Sequence, residues 1–358
     1  MFAVRRVVAI AVSGVVAVSV VQVGAAAAPP ESNWEVETLP ATPGGVATVV
    51  TVTEGFPDRD VWAFVNRPDG RTGALRQHGW DAAWQAAEVP DIGRVAGGTP
   101  SGAHRGGPQW VVGARGLLRW DGQKWEKLAL PATRLPTEFS DITSGGEADA
   151  WLAGTERAPG RSYRRGVVYK FDGTNWSPVE IPRETLPEGT TLRAIQGSDL
   201  TGLTLAGTHH TREGDRALIL SSLEGAPWVR ASVPPRPGWS ESLTTLHTRC
   251  VGGWTAPAGG QGRRPLMYCT EDGWQSPIRK DLPDVRAELT GIADLYGGIY
   301  AVGHTADGRT FGVDTGLPDL RGVRIAGTSG WLAGNAWTFG TRYDAQGRPS
   351  ALIIREKG

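Results

Sequence analysis

The sequence predicts an all-β chain, a single seven-bladed β-propeller closed by pairing of its N-terminal strand into the last blade. Three observations lead there. The 358 residues include 50 Gly and 25 Pro, a density that interrupts long helices and punctuates many short strands. A Trp followed six residues later by Pro recurs at repeat-length spacing, at Trp34, Trp84, Trp125, Trp176 and Trp228. The two ends of the chain also read as complementary parts of one repeat.

The chain opens on an export segment. Arg5 and Arg6 precede an apolar run, Val7 to Val23, and Gly24 to Ala28 offers small residues at an A-x-A type site. Residues 1–28 are therefore expected to be a signal peptide cleaved near Ala28, leaving 29–358 as the propeller domain of a secreted, extracellular protein. Beyond export, no membrane contact is expected. An uncleaved anchor is the alternative, since Val7 to Ala28 is long enough to span a bilayer.

The repeat then runs to the C-terminus. Successive copies of the Trp strand lie 50, 41, 51 and 52 residues apart, and a looser copy follows 46 residues later at Trp274. That is the length of a four-stranded blade. Between Trp and Pro, apolar and polar residues alternate, as in WEKLALP (Trp125 to Pro131). This is a period-two strand stopped by a residue that cannot donate to a ladder. A turn precedes it at Asp121-Gly122, Asp172-Gly173, Glu224-Gly225 and Asp272-Gly273. Before the turn lies an apolar strand such as VVYKF (Val167 to Phe171). Before that comes a strand ending in Gly, with copies at QWVVG (Gln109 to Gly113), AWLAG (Ala150 to Gly154), LTLAG (Leu203 to Gly207), IYAVG (Ile299 to Gly303) and GWLAG (Gly330 to Gly334). Counting by the strands of the repeat gives seven copies. The last ends on ALIIREKG without an outer strand, and SNWEVETLP (Ser32 to Pro40) is an outer strand with no blade before it. Joining them removes the exposed edges of an open array.

Cys250 and Cys269 are 19 residues apart, the spacing of Trp151 and Lys170, which the repeat places opposite one another in blade three. A cross-strand disulfide in blade five is expected, in keeping with export.

The run WLAG…VVYKFDGTNWSPVEIP resembles the repeat of secreted bacterial, especially actinobacterial, β-propeller proteins with W-D-G-x-x-W blades. The resemblance covers Trp34 to the C-terminus and implies the fold. It is silent on activity, because propellers host enzymes, lectins and scaffolds alike.

Function is read from charge. Lys plus Arg equals Asp plus Glu at 37 each, so no global field recruits nucleic acid or an anionic membrane. The six histidines form no His-x-x-x-His, and Gly-x-Ser-x-Gly is absent. No metal site, cofactor or catalytic residue is assigned. In a propeller the loops between second and third strands share a face with the loops between blades. Here those second-to-third loops carry a surplus of arginine, greatest in blade three. The candidate binding residues are Arg161, Tyr163, Arg164 and Arg165 in blade three, His209 and His210 in the loop GTHHTREGDR, and Arg263 and Arg264 in blade five. If extended, Arg161, Tyr163 and Arg165 share one face, an aromatic between two cations. The repeating Trp residues are expected between blades, with Trp239 and Trp254 the irregular ones. The expected function is a non-catalytic, monomeric binding module that presents a basic loop face to an extracellular protein or glycan, including an anionic one. The alternative is a propeller enzyme, a glycan hydrolase or lyase, acting at the channel mouth. Inward-facing His and carboxylates would favour the enzyme; a hydrophobic or Ser/Thr-lined channel would favour the binder.

Overall fold

A computed structural model describes residues 34–356 apart from 44–45, 54–59, 80–81, 100–108, 158–163, 200, 224–225, 248, 261, 272, 296–297, 314 and 332–334. Residues 1–28, expected to be a signal peptide, and Arg161 and Tyr163 lie outside the described residues.

The described chain is all β, arranged as seven sheets of a β-propeller. Blade one comprises Val46–Thr53, Asp60–Asn66, Thr72–His78 and Gln85–Ala87, and blade two Val95–Gly98, Trp110–Gly113, Gly116–Trp120 and Trp125–Leu128. Blade three comprises Thr137–Gly146, Asp149–Arg157, Arg164–Phe171 and Trp176–Pro178. Blade four runs through Thr190–Ser198, Gly202–Thr211, Gly214–Ser222 and Val229–Arg230. Blade five holds Trp239–His247, Cys250–Pro257, Arg264–Cys269 and Ile278–Arg279. Blade six has three strands, Ala287–Leu295, Gly298–Thr305 and Thr310–Val313. Blade seven is Val323–Trp331, Asn335–Tyr343 and Pro349–Glu356, with Trp34–Pro43 antiparallel to the last of these as its outermost strand. First strands pack against first strands around the ring, the seventh against the first.

The core lies between blades. Trp62, Phe64, Trp120 and Trp125 join blades one and two, with Phe64 and Trp125 edge to face at 5.0 Å. Trp110 of blade two meets Phe171 and Trp176 of blade three at 5.4 and 5.8 Å. Such pairs add about 0.5–1.5 kcal/mol beyond the area they bury. Of the repeating Trp residues, Trp34, Trp84, Trp125 and Trp274 are buried, while Trp176 and Trp228 are half-buried against their clusters.

The Asp-Gly turns are wider than two-residue hairpins. Trp120 pairs with Trp125, and Phe171 with Trp176, leaving four residues in each loop. Asp172 Oδ1 accepts the N–H groups of Thr174 and Asn175 at 2.8 and 2.7 Å, and Gly173 takes a φ of 99°. The carboxylate satisfies donors that a tighter turn would have paired across the strands.

Each first strand carries one extra residue at the same height. The register slips after Ala47, Val95, Phe139, Leu192, Leu243, Leu289 and Ile325, leaving Thr48, Ala96, Ser140, Arg193, Thr244, Thr290 and Ala326 unpaired. These are β-bulges, which re-aim side chains. They also explain the glycine that ends the second-strand motif. Gly113, Gly154, Gly207, Gly253, Gly303 and Gly340 stand opposite the residue just before the bulge. A Cβ on Gly207, Gly253 or Gly303 would come within 2.2, 2.0 or 1.8 Å of the carbonyl oxygen of Thr191, Ser242 or Glu288.

This corrects the seventh copy of the motif. Gly330 and Trp331 end the first strand of blade seven rather than belonging to its second, which is Asn335–Tyr343. The required glycine is Gly340, opposite Ile325, because pairing to the bulge and not spelling fixes its place.

Cys250 and Cys269 pair across the second and third strands of blade five and are bridged, as Trp151 and Lys170 pair in blade three. Reducing this bond is expected to cost about 3 kcal/mol by the loop-entropy argument. A urea midpoint unchanged by reductant would show the cross-link to be redundant with the sheet around it.

Candidate functional site

The seven bulges share one consequence. Thr48, Ala96, Ser140, Arg193, Thr244, Thr290 and Ala326 all line a single cavity of about 980 Å³, to which every blade contributes. The volume falls within the range of small-ligand sites. The cavity lies toward the end of the strands where the second-to-third hairpins turn, and Asp215 and Arg263 beside those hairpins are on its wall.

Hydroxyls form much of that wall. Ser140 Oγ donates to the Leu192 carbonyl at 3.0 Å, and Thr244 Oγ1 to that of Leu289 at 3.0 Å, so the bulge residues also tie neighbouring blades. The hydroxyls of Thr208 and Ser242 hydrogen-bond at 2.7 Å across blades four and five. Thr290 Oγ1 is buried without a partner.

Two His–carboxylate pairs sit among the hydroxyls. In blade four, His210 Nδ1 is 2.7 Å from Asp215 Oδ1, and its Nε2 is 2.9 Å from Thr191 Oγ1. In blade six, His304 Nε2 is 3.3 Å from Glu288 Oε1, and Arg263 of blade five donates to Glu288 Oε2 at 2.6 Å. Those contacts, the His304 hydrogen bond first, hold the Glu288 carboxyl down at about 2 although burial opposes it. Arg263 also lies over Trp254, 4.3 Å from the ring centroid.

Solved structures share this architecture. The β-propeller domain of the Trilobed protease from Pyrococcus furiosus aligns with a TM-score of 0.53 at 8% identity, covering 88% of this chain and 94% of that one. A puromycin-hydrolyzing peptidase of Mycobacterium tuberculosis aligns at 0.53 and 14% identity over 87% of this chain, which spans 51% of the peptidase. The six-bladed fungal lectin of Aleuria aurantia aligns at 0.41 and 10% identity, covering 86% and 94%. At these identities the likeness concerns the fold alone. No family model matches the sequence, and no curated protein does.

Of the residues singled out from sequence, the structure brings Arg164, His210 and Arg263 to this region. Arg164 Nη1 stands 3.5 Å from His210 Nε2. His209 and His210 lie on the strand Gly202–Thr211 and not in a loop, which is only Arg212 and Glu213. Neighbours on a strand face opposite ways, so His210 lines the cavity and His209 does not. Burial lowers the His209 pKa, and Arg230 adds to the effect. Arg165 is exposed opposite Glu156, and Arg264 pairs with Asp284 at 2.7 Å.

Acids from neighbouring segments engage much of the loop arginine surplus. Asp91, between blades one and two, is 2.6 Å from Arg115 and 3.8 Å from Arg71. Its pKa is lowered to about 2, chiefly by the Gly93 and Thr72 N–H groups. Arg157 meets Glu138 at 2.7 Å and Arg348 meets Asp344 at 2.7 Å. Among the described residues no group of three or more His, Cys, Asp or Glu could hold a metal ion.

Sequence reasoning missed Arg94, Arg193, Thr191, Glu288, His304 and Arg324. Their only sequence signal is position relative to the bulge, which is legible once the second-strand glycine is paired.

Asp141, one residue beyond the Ser140 bulge, is a further group on this inner ring. It accepts N–H bonds from Ile142 at 2.9 Å and from Ile195 of blade four at 3.0 Å, and burial nevertheless raises its pKa to about 7. The folded chain thus binds this proton more tightly than the unfolded one, whose carboxyl titrates near 3.8. This contribution to stability is present in acid and is lost as pH rises from about 4 to 7, by at most about 1.4 kcal/mol per pH unit. Urea unfolding across pH 4–8 should show that slope, and Asp141→Asn should flatten it. Identical pH profiles for the two proteins would contradict the assignment.

Proposed function

We propose that this protein is a non-catalytic extracellular binding module that admits a glycan or a protein segment into the cavity ringed by its bulge residues. The observation that carries the reading is the wall itself. All seven blades supply it, and hydroxyls form much of it. Exposure outside the cell accords with the Cys250–Cys269 bridge. Among the described residues, no helix is long and apolar enough to cross a membrane.

A thermal-shift screen of the intact protein against acidic and neutral polysaccharides, peptides and divalent metals tests this. A ligand at 100 times its Kd adds about 2.7 kcal/mol of apparent stability. Thr244→Trp, which fills the cavity from a bulge position, should abolish the shift. A shift that survives Thr244→Trp would place binding elsewhere.

One observation favours a second reading, a hydrolase. Thr191, His210 and Asp215 are linked in the hydroxyl–imidazole–carboxylate order of nucleophilic hydrolases. Turnover of chromogenic esters or glycosides that disappears in both Thr191→Val and His210→Ala would establish it in place of the first.

A further inference from the structure

Resting on the binding-module reading and sharpening it, we propose that the cavity takes an anionic glycan, with acid groups held by Arg94, Arg193 and Arg324. The three come from blades two, four and seven, all line the one cavity, and all are exposed. Arg193 is itself a bulge residue, so the innermost strand of its blade sets where its side chain starts.

The charge balance of the wall decides the sign of the ligand. Each carboxylate on it is already engaged: Glu138 by Arg157, Asp215 by His210, and Glu288 by Arg263 and His304. Arg94, Arg193 and Arg324 have no carboxylate within salt-bridge reach among the described residues. Three like charges around one concavity repel each other more strongly than they would on an open surface, because low-dielectric walls focus their field. An anion relieves that repulsion, and a guanidinium grips a carboxylate or sulfate through two parallel hydrogen bonds.

The rest of the wall decides the class. The hydroxyl side chains along the wall suit a ligand dense in hydroxyls. A concavity fed by all seven blades admits a chain end or short oligomer more readily than the flat surface of a folded partner. Uronate and sulfate esters of a sugar share this chemistry, with an acid group beside several hydroxyls.

Calorimetric titration of the intact protein with uronic-acid, sulfated and neutral oligosaccharides, and with polyglutamate, tests the assignment. At least one acidic oligosaccharide should bind, more weakly as salt rises; which one binds identifies the acid. Arg193→Gln and Arg324→Gln should each weaken it tenfold or more. Arg348→Gln, at an arginine of the same face already paired with Asp344, should leave it unchanged. Thermal midpoints of the variants, expected to match the parent because these arginines are exposed, keep the comparison free of unfolding. Neutral sugars bound as tightly as acidic ones, with Arg193→Gln silent, would overturn the anionic assignment and leave the binding module standing. Polyglutamate bound in place of the sugars would overturn the glycan in favour of an acidic protein, and silence to every probe would remove both readings.

Discussion

Trp34→Ala is expected to destabilise the protein by about 3–5 kcal/mol, the range for truncating a buried aromatic. Trp34 is buried, stacks on Tyr300 of blade six at 5.4 Å between centroids, and donates its indole N–H to the Thr315 carbonyl at 3.0 Å. The strand it begins touches three blades. Glu37 Oε1 is 3.0 Å from Arg355 of blade seven, and its Oε2 accepts the Trp84 indole N–H of blade one at 2.6 Å. Glu35 takes a second bond from Arg355 at 2.7 Å. Loosening this strand uncovers the edge of Pro349–Glu356, so light scattering should rise together with the fall in the urea midpoint. Glu37→Gln, which keeps an acceptor, should cost only about 1 kcal/mol. A Trp34→Ala protein within about 1 kcal/mol of the parent would mean that the ring holds without its N-terminal strand.

How much of this was legible follows from what each feature demands of its residues. Strands and turns demand alternation and glycine, so VVYKF, WEKLALP and the Asp-Gly loops stood out. The Cys250–Cys269 bridge was legible because blade three offered an internal ruler in Trp151 and Lys170. The bulge demands nothing of its own residue, which is Thr, Ala, Ser or Arg in different blades. It leaves a trace only on the facing strand, as a glycine in six blades, and not in blade one, where Val65 takes that place. For that reason the cavity wall stayed hidden, and GWLAG was matched by spelling to the wrong strand. The arginine-rich loops were visible as composition. Their partners were not, because Asp91, Asp284 and Glu288 belong to segments whose placement depends on how one blade meets the next.

Gly303→Ala puts the link between bulge and cavity to a direct test, with an expected loss of about 3 kcal/mol or more. The added Cβ would lie 1.8 Å from the Glu288 carbonyl oxygen and 3.1 Å from Leu289 Cα. These are backbone atoms of the innermost strand, so no side-chain rotation relieves the overlap. The first strand of blade six must move, and Glu288 and Thr290 on the cavity wall move with it. Two alanines separate this effect from glycine's general properties. Gly146 has open space and no positive φ, so Gly146→Ala should be nearly neutral. Gly347 has open space but a φ of +73°, so Gly347→Ala should cost about 1–2 kcal/mol from the backbone alone. Urea unfolding of the three variants gives the order directly. If Gly303→Ala also retains ligand affinity once folded, the bulge shapes the blade without shaping the site. If affinity falls with stability, the glycine facing the bulge in blades two to seven is there because the strand beside it bulges into the cavity; blade one carries Val65 at that place.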